Sequence, residues 1–213
     1  MKTIKQLVLT SILVLFASAV FAETKMRITL QLPLKAHLGQ NLLVFKKELE
    51  KRSDIIVEIY DSAQLYKDKE VPQAVGSGAI EAGVASLTRF AGTNPEVDIF
   101  YLPFLFDSEK KIRKATKSGS KIRQVLDPAI SKSGAVPLYY QAYGSAVMLS
   151  NGTPMNTPAA FKNKKIRVFG KTLGAFVSSL GAKPALISGS EQYLAYQRGT
   201  VDAGMTGVSG VKS

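Results

Sequence analysis

The stretch 164–205, KKIRVFGKTLGAFVSSLGAKPALISGSEQYLAYQRGTVDAGM, decides the fold. Residues 165–169 read as a short strand, 172–180 as a helix, 184–187 as a strand, 190–198 as a helix and 201–205 as a strand. Strands that alternate with helices at this spacing build a parallel sheet flanked by helices, because a crossover helix is what returns the chain to the same end of the sheet. The fold class is therefore α/β.

The same alternation runs outward toward the amino terminus. Residues 147–150 read as a strand and 157–161 as a short helix. Further upstream, 26–32 is a strand candidate and is followed by a turn at Pro33. Next comes a helix whose apolar face is Leu38, Leu42, Phe45 and Leu49. Ile55, Val57 and Ile59 alternate as a strand, and 69–78 is a helix with Pro72 in its first turn and Gly76 and Gly78 at its end. Residues 82–86 suit a buried strand, 97–106 are apolar and aromatic, 108–117 and 120–132 are helical, and 135–144 has strand character. One α/β unit spans 23–141 and a second 142–205, with 206–213 starting a return crossover. The join near 141–146 has no Gly/Ser or Pro-rich tether, which predicts a hinge that closes over a ligand.

Residues 1–22 have the three-part layout of a secretory leader: Lys2 and Lys5, an apolar run, then small residues ending at Ala22. The run is shorter than the roughly 20 residues that span a bilayer. The expected mature chain is exported and does not itself cross a membrane. With 46% hydrophobic residues there is ample material for a core, and the absence of cysteine excludes disulfides and thiolate metal sites. The net charge of +12 favours anionic partners, but the charges are scattered, with no basic stripe interleaved with aromatics. Nucleic acid is accordingly not expected as a partner.

In open α/β sheets ligands bind beyond the carboxyl ends of strands, where Gln31, Ser86, Arg167 and Thr206 fall. Arg167 offers a planar fork suited to a carboxylate; the competing reading is a structural ion pair or an edge-strand charge. Gln31, Ser86 and Thr206 also fit turn or cap roles. An enzyme of this fold, such as a hydrolase, would need a triad around the single histidine, His37, and no G-x-S-x-G elbow is present. His37 reads as a cap of the first helix, and Glu81, Glu96 and Asp98 as solvated turn charges. A receptor or adhesin module would show clear apolar surface patches, which the sequence does not. No metal and no cofactor is called for.

Five segments, 45–53 (FKKELEKRS), 60–65 (YDSAQL), 101–107 (YLPFLFD), 164–168 (KKIRV) and 190–202 (SEQYLAYQRGTVD), occur in an order and at intervals that resemble the substrate-binding proteins of tripartite ATP-independent periplasmic (TRAP) transporters, the dicarboxylate-binding-protein-like family. The resemblance implies a two-lobed periplasmic-binding-protein architecture and a monomer. It also implies capture of a small organic acid without chemistry and delivery to two membrane subunits. The arginine of its IRV strand pairs with the solute carboxylate, which carries over to Arg167. Its other contacts fall at Gln31, at Ser86 with Arg89 nearby, and at Thr206. Tyr143, Phe169 and Met205 would form an apolar or stacking wall.

Two departures qualify the likeness. The family's second arginine, in a G-x-R motif, is replaced by Gly144, Ser145 and Ala146, and its VDGQENP run by VDAGMTG at 201–207. A monocarboxylate or keto acid with an apolar tail is therefore expected rather than the commonest ligands. The sequence also stops at Ser213, where the resemblance predicts a long helix and further strands, so the chain reads as truncated.

Overall fold

The computed structural model describes residues 23–211, so the expected leader and the last two residues lie outside the described part. Two sheets carry the fold. In the first, β1 (Thr24–Thr29) lies between β2 (Ile55–Tyr60) and β3 (Ala82–Gly83), all parallel. Helix α1 (His37–Arg52) crosses from β1 to β2 and sets Leu38 and Leu42, with Phe45 and Leu49, against Ile28, Leu30 and Val57. Its close approach depends on Gly39, where a side chain would collide with the backbone of Leu34. The apolar periodicity of α1 is thus the sheet-facing stripe.

Helix α2 (Val71–Gly76) leads into β3, and the chain continues through 3-10 segments at Leu87–Phe90 and Pro95–Tyr101. Helices α3 (Glu109–Thr116) and α4 (Lys121–Ser131) follow, both started by serine side chains that accept from main-chain N–H groups, Ser108 from Lys111 and Ser120 from Arg123. Val97, Leu126 and Ile130 close a small core beneath them.

The second sheet has the order β4-β7-β5-β6, formed by β4 (Ala146–Ser150), β5 (Lys165–Val168), β6 (Lys183–Leu186) and β7 (Ala203–Gly207). Only β4 is antiparallel. Short helix α5 (Pro158–Phe161) precedes β5, α6 (Lys171–Ser179) links β5 to β6, and α7 (Gln192–Gln197) links β6 to β7. Ile166 and Val168 face α6 and pack with Leu173 and Val177. The intervening Arg167 must therefore point to the opposite face. No helix among the described residues is long and apolar enough to cross a membrane.

Three expectations are corrected. Residues 136–144 form no strand and make no backbone–backbone hydrogen bond to a described residue, and Gly144 takes a positive φ of 80°. His37 does not cap α1: the N-cap is Ala36, and the imidazole Nε2 lies 2.9 Å from the Ala142 carbonyl oxygen, tying α1 to the join. Asp98 is buried at 8% exposure and Glu81 pairs with Arg27, so neither is a free turn charge.

Several contacts join the two sheet units. Thr172 Oγ1 donates to Asp98 Oδ2 at 2.6 Å and Lys67 Nζ lies 2.7 Å from Glu191 Oε1. Gly170 and Gly189 let Thr88 and Gln31 approach across the divide, since a Cβ at either glycine would crowd those side chains.

Candidate functional site

The site is built around Arg167. It is only 3% exposed, yet its hydrogen-bond partners are main-chain carbonyls rather than a carboxylate. Nε donates to Ile187 O at 2.9 Å, just past the carboxyl end of β6, and Nη1 to Met205 O at 2.5 Å, midway along β7. The guanidinium carbon also sits 5.2 Å from the centre of the Phe169 ring, a cation–π placement. Burial brings the Arg167 pKa down to about 10, which leaves the group charged at neutral pH. With two of five N–H groups spent on carbonyls, Nη2 keeps its donors for a further acceptor.

A second cation comes from the first sheet unit. Arg89 Nε is 2.5 Å from Asp68 Oδ2, and the two side chains are 6% and 1% exposed. Asp68 Oδ1 accepts the Ser86 main-chain N–H at 2.8 Å. Arg89 Nη2 is buried and has no partner among the described residues. The charge of Arg89 further lowers the Arg167 pKa, which places the two cations within electrostatic range. The loss of the G-x-R arginine at 144–146 thus does not leave Arg167 as the only cation near the divide.

Near these groups four more buried polar atoms have no partner among the described residues: Gln31 Oε1, Thr88 Oγ1, Ser188 Oγ and Tyr196 Oη. An unsatisfied buried polar atom costs about 1–3 kcal/mol, so a cluster of them is informative. A Cβ added at Gly189 would stand 2.8 Å from Gln31 Oε1 and 3.9 Å from Arg167 Nη2, so both side chains approach Gly189, Gln31 from the first sheet unit and Arg167 from the second. The atoms converge on the carboxyl ends of β1, β5 and β6, where a polar molecule with several acceptors and donors would satisfy them.

The sequence candidates divide by role. Gln31, Arg89 and Arg167 are brought together by side chain, while Ser86 enters through its backbone N–H to Asp68. Thr206 lies beside the Tyr143 phenol, and the Tyr143 ring rests on Gly207. Phe169 stacks on Arg167 but also belongs to the apolar core, with Tyr101 edge-on at 5.7 Å. Met205 contributes its carbonyl, and its side chain is core. Sequence reasoning missed Asp68, Thr88, Ser188 and Tyr196. Asp68 sits in a Lys-Asp-Lys-Glu run that reads as solvated loop, and only the fold buries it.

A groove of about 540 Å³ lies elsewhere, lined by Pro95, Ile99, Leu102, Ile122 and Val125, with the carboxylates of Glu96 and Asp98 and the ammonium of Lys121 at its edges. Its one buried charge, Asp98, is an anion and does not favour an acid. The interior at Arg167 does.

Comparison with known proteins follows the same line. The sequence profile of the bacterial extracellular solute-binding proteins, family 7, matches residues 31–213. The C4-dicarboxylate-binding periplasmic protein DctP of Rhodobacter capsulatus is 32% identical over 168 residues, covering 77% of this chain and 50% of that protein. A TRAP periplasmic solute binding protein from Sulfurospirillum deleyianum with bound succinate superposes with a TM-score of 0.80 at 28% identity, covering 89% of this chain and 62% of that one. The Pseudomonas aeruginosa TRAP protein with bound L-malate gives 0.79 at 25% identity, covering 86% and 64%. The chain thus spans half the length of the first relative and under two thirds of these solved chains.

Proposed function

The chain belongs to the bacterial extracellular solute-binding proteins, family 7, and from that premise we propose that it captures a small monocarboxylate outside the cytoplasm and hands it to a TRAP-type transporter. The observation that carries this reading is the charge of the buried cluster. Arg167 and Arg89 contribute two positive charges and Asp68 one negative, leaving one unit to be neutralised. A single carboxylate does so; a dicarboxylate would leave a buried negative charge unpaired, which is costly. The relatives' bound succinate and L-malate support the acid class while differing in charge.

In this reading the carboxylate sits against Arg167 Nη2 and Arg89 Nη2, with Gln31, Thr88 and Ser188 hydrogen-bonding the rest of the solute. Phe169 and Tyr143 wall the interior, Thr206 orients Tyr143, and Ser86 with Asp68 positions Arg89. The units 23–141 and 142–205 act as lobes, 1–22 directs export to the periplasm, and the partners are the small and large membrane subunits. The protein works as a monomer and performs no chemistry on its solute, consistent with a family of binding proteins.

The test is a thermal-shift and calorimetric screen of monocarboxylates against succinate, neutral sugars and amines. Monocarboxylates raise the melting temperature by mass action. Arg167→Ala removes the shift, because truncating one side of a buried charge pair costs on the order of 2–5 kcal/mol. A shift with a sugar or amine alone would refute the assignment.

A further inference from the structure

We propose that Tyr196 is a specificity-determining residue whose hydroxyl reads an oxygen on the α-carbon of the bound acid, so that 2-hydroxy and 2-oxo monocarboxylates are taken over unsubstituted ones. The inference rests on the carboxylate reading above and deepens it.

Three observations converge. The Tyr196 hydroxyl is buried and has no hydrogen-bond partner among the described residues, although a buried phenol ordinarily finds one. It stands on Gly204, the register partner of Arg167 across β5 and β7. A Cβ at 204 would overlap the phenol oxygen and lie 3.0 Å from Arg167 Cβ. The missing side chain at 204 is therefore what admits a phenol beside the arginine, on the same sheet face.

The geometry along β7 supplies the rest. Arg167 is pinned to the Met205 carbonyl, one residue beyond the glycine on which the phenol rests. The guanidinium and the phenol thus meet the same strand at adjacent residues. Burial pushes the Tyr196 pKa up, so the O–H stays protonated and uncharged. A phenol both donates and accepts, which suits a keto oxygen or a hydroxyl and adds no charge to the cluster. An acid lacking that oxygen leaves the phenol unpaired.

The test is calorimetric titration of the full chain with propionate, lactate and pyruvate, and with their four-carbon homologues. The oxygen-bearing acids bind about 10- to 100-fold more tightly than the unsubstituted ones. Tyr196→Phe, which keeps the ring, erases that preference and leaves propionate affinity unchanged, and because it removes an unpartnered buried hydroxyl it does not lower the ligand-free melting temperature. Preference that survives in Tyr196→Phe, or a loss equal for all acids, overturns the inference. If acids bind through Arg167 with no α-oxygen preference, the Tyr196 inference alone fails. If no acid binds, or binding survives Arg167→Ala, the carboxylate reading itself falls.

Discussion

Asp68→Ala is the most informative single change. Asp68 is 1% exposed and holds both Arg89 Nε and the Ser86 N–H, so its removal leaves a buried guanidinium and a buried amide without their anion. Breaking a buried pair in this way costs about 3–5 kcal/mol. At roughly 2–4 °C per kcal/mol for a chain of this size, the melting temperature drops by about 6–20 °C. Urea unfolding should show the same loss as a lower midpoint with an unchanged slope. The double variant Asp68→Leu/Arg89→Leu should recover much of it, because no isolated charge remains. In binding, Asp68→Ala leaves the cluster one positive charge richer and moves preference from monocarboxylates toward dicarboxylates. A single-variant loss below about 1 kcal/mol, the range of a solvated surface pair, would show that the charge balance was misread.

Gly170→Ala forces a methyl group into Thr88, and an overpacked contact costs about 1–3 kcal/mol. Because Thr88 and Gly170 come from different sheet units, solute affinity should fall as well, which titration would show. Thr172→Val removes the donor to buried Asp98 and should cost about 1–3 kcal/mol by thermal melting, with little change in the circular dichroism spectrum. The Arg27 guanidinium and N–H hold the Glu81 carboxyl at about 2, below its ordinary 4.5. Its stabilising contribution is thus present above pH 4.5 and lost as pH falls toward 2. The melting-temperature gap between the unaltered chain and Glu81→Gln should shrink across that window; a gap constant with pH would rule the pairing out.

The β-α-β-α-β run was legible because each strand is an apolar cluster closed by glycine or polar turns, and Arg167 stood out as the one charge between Ile166 and Val168. The stretch 136–144 looked like a strand because composition reports extension and not the presence of a partner. Asp98 looked solvated and Asp68 drew no notice because their partners are distant in sequence, Thr172 for one and Arg89 for the other. Tyr196 was invisible for the same reason: only register makes Gly204 its neighbour and Arg167 the residue beside it. Spacing along a chain finds strand ends; it does not find what meets across the divide.

That Arg89 belongs to one sheet unit and Arg167 to the other has a dynamic consequence. Bringing the halves together forces two like charges to approach, with Asp68 offsetting only one of them. In the proposed reading, repulsion would oppose closure of the empty protein, and a bound anion would turn the same pair of cations into a bridge. Under the proposed function the arrangement would act as an electrostatic interlock, in which an anion between the two cations is the condition for the units to close.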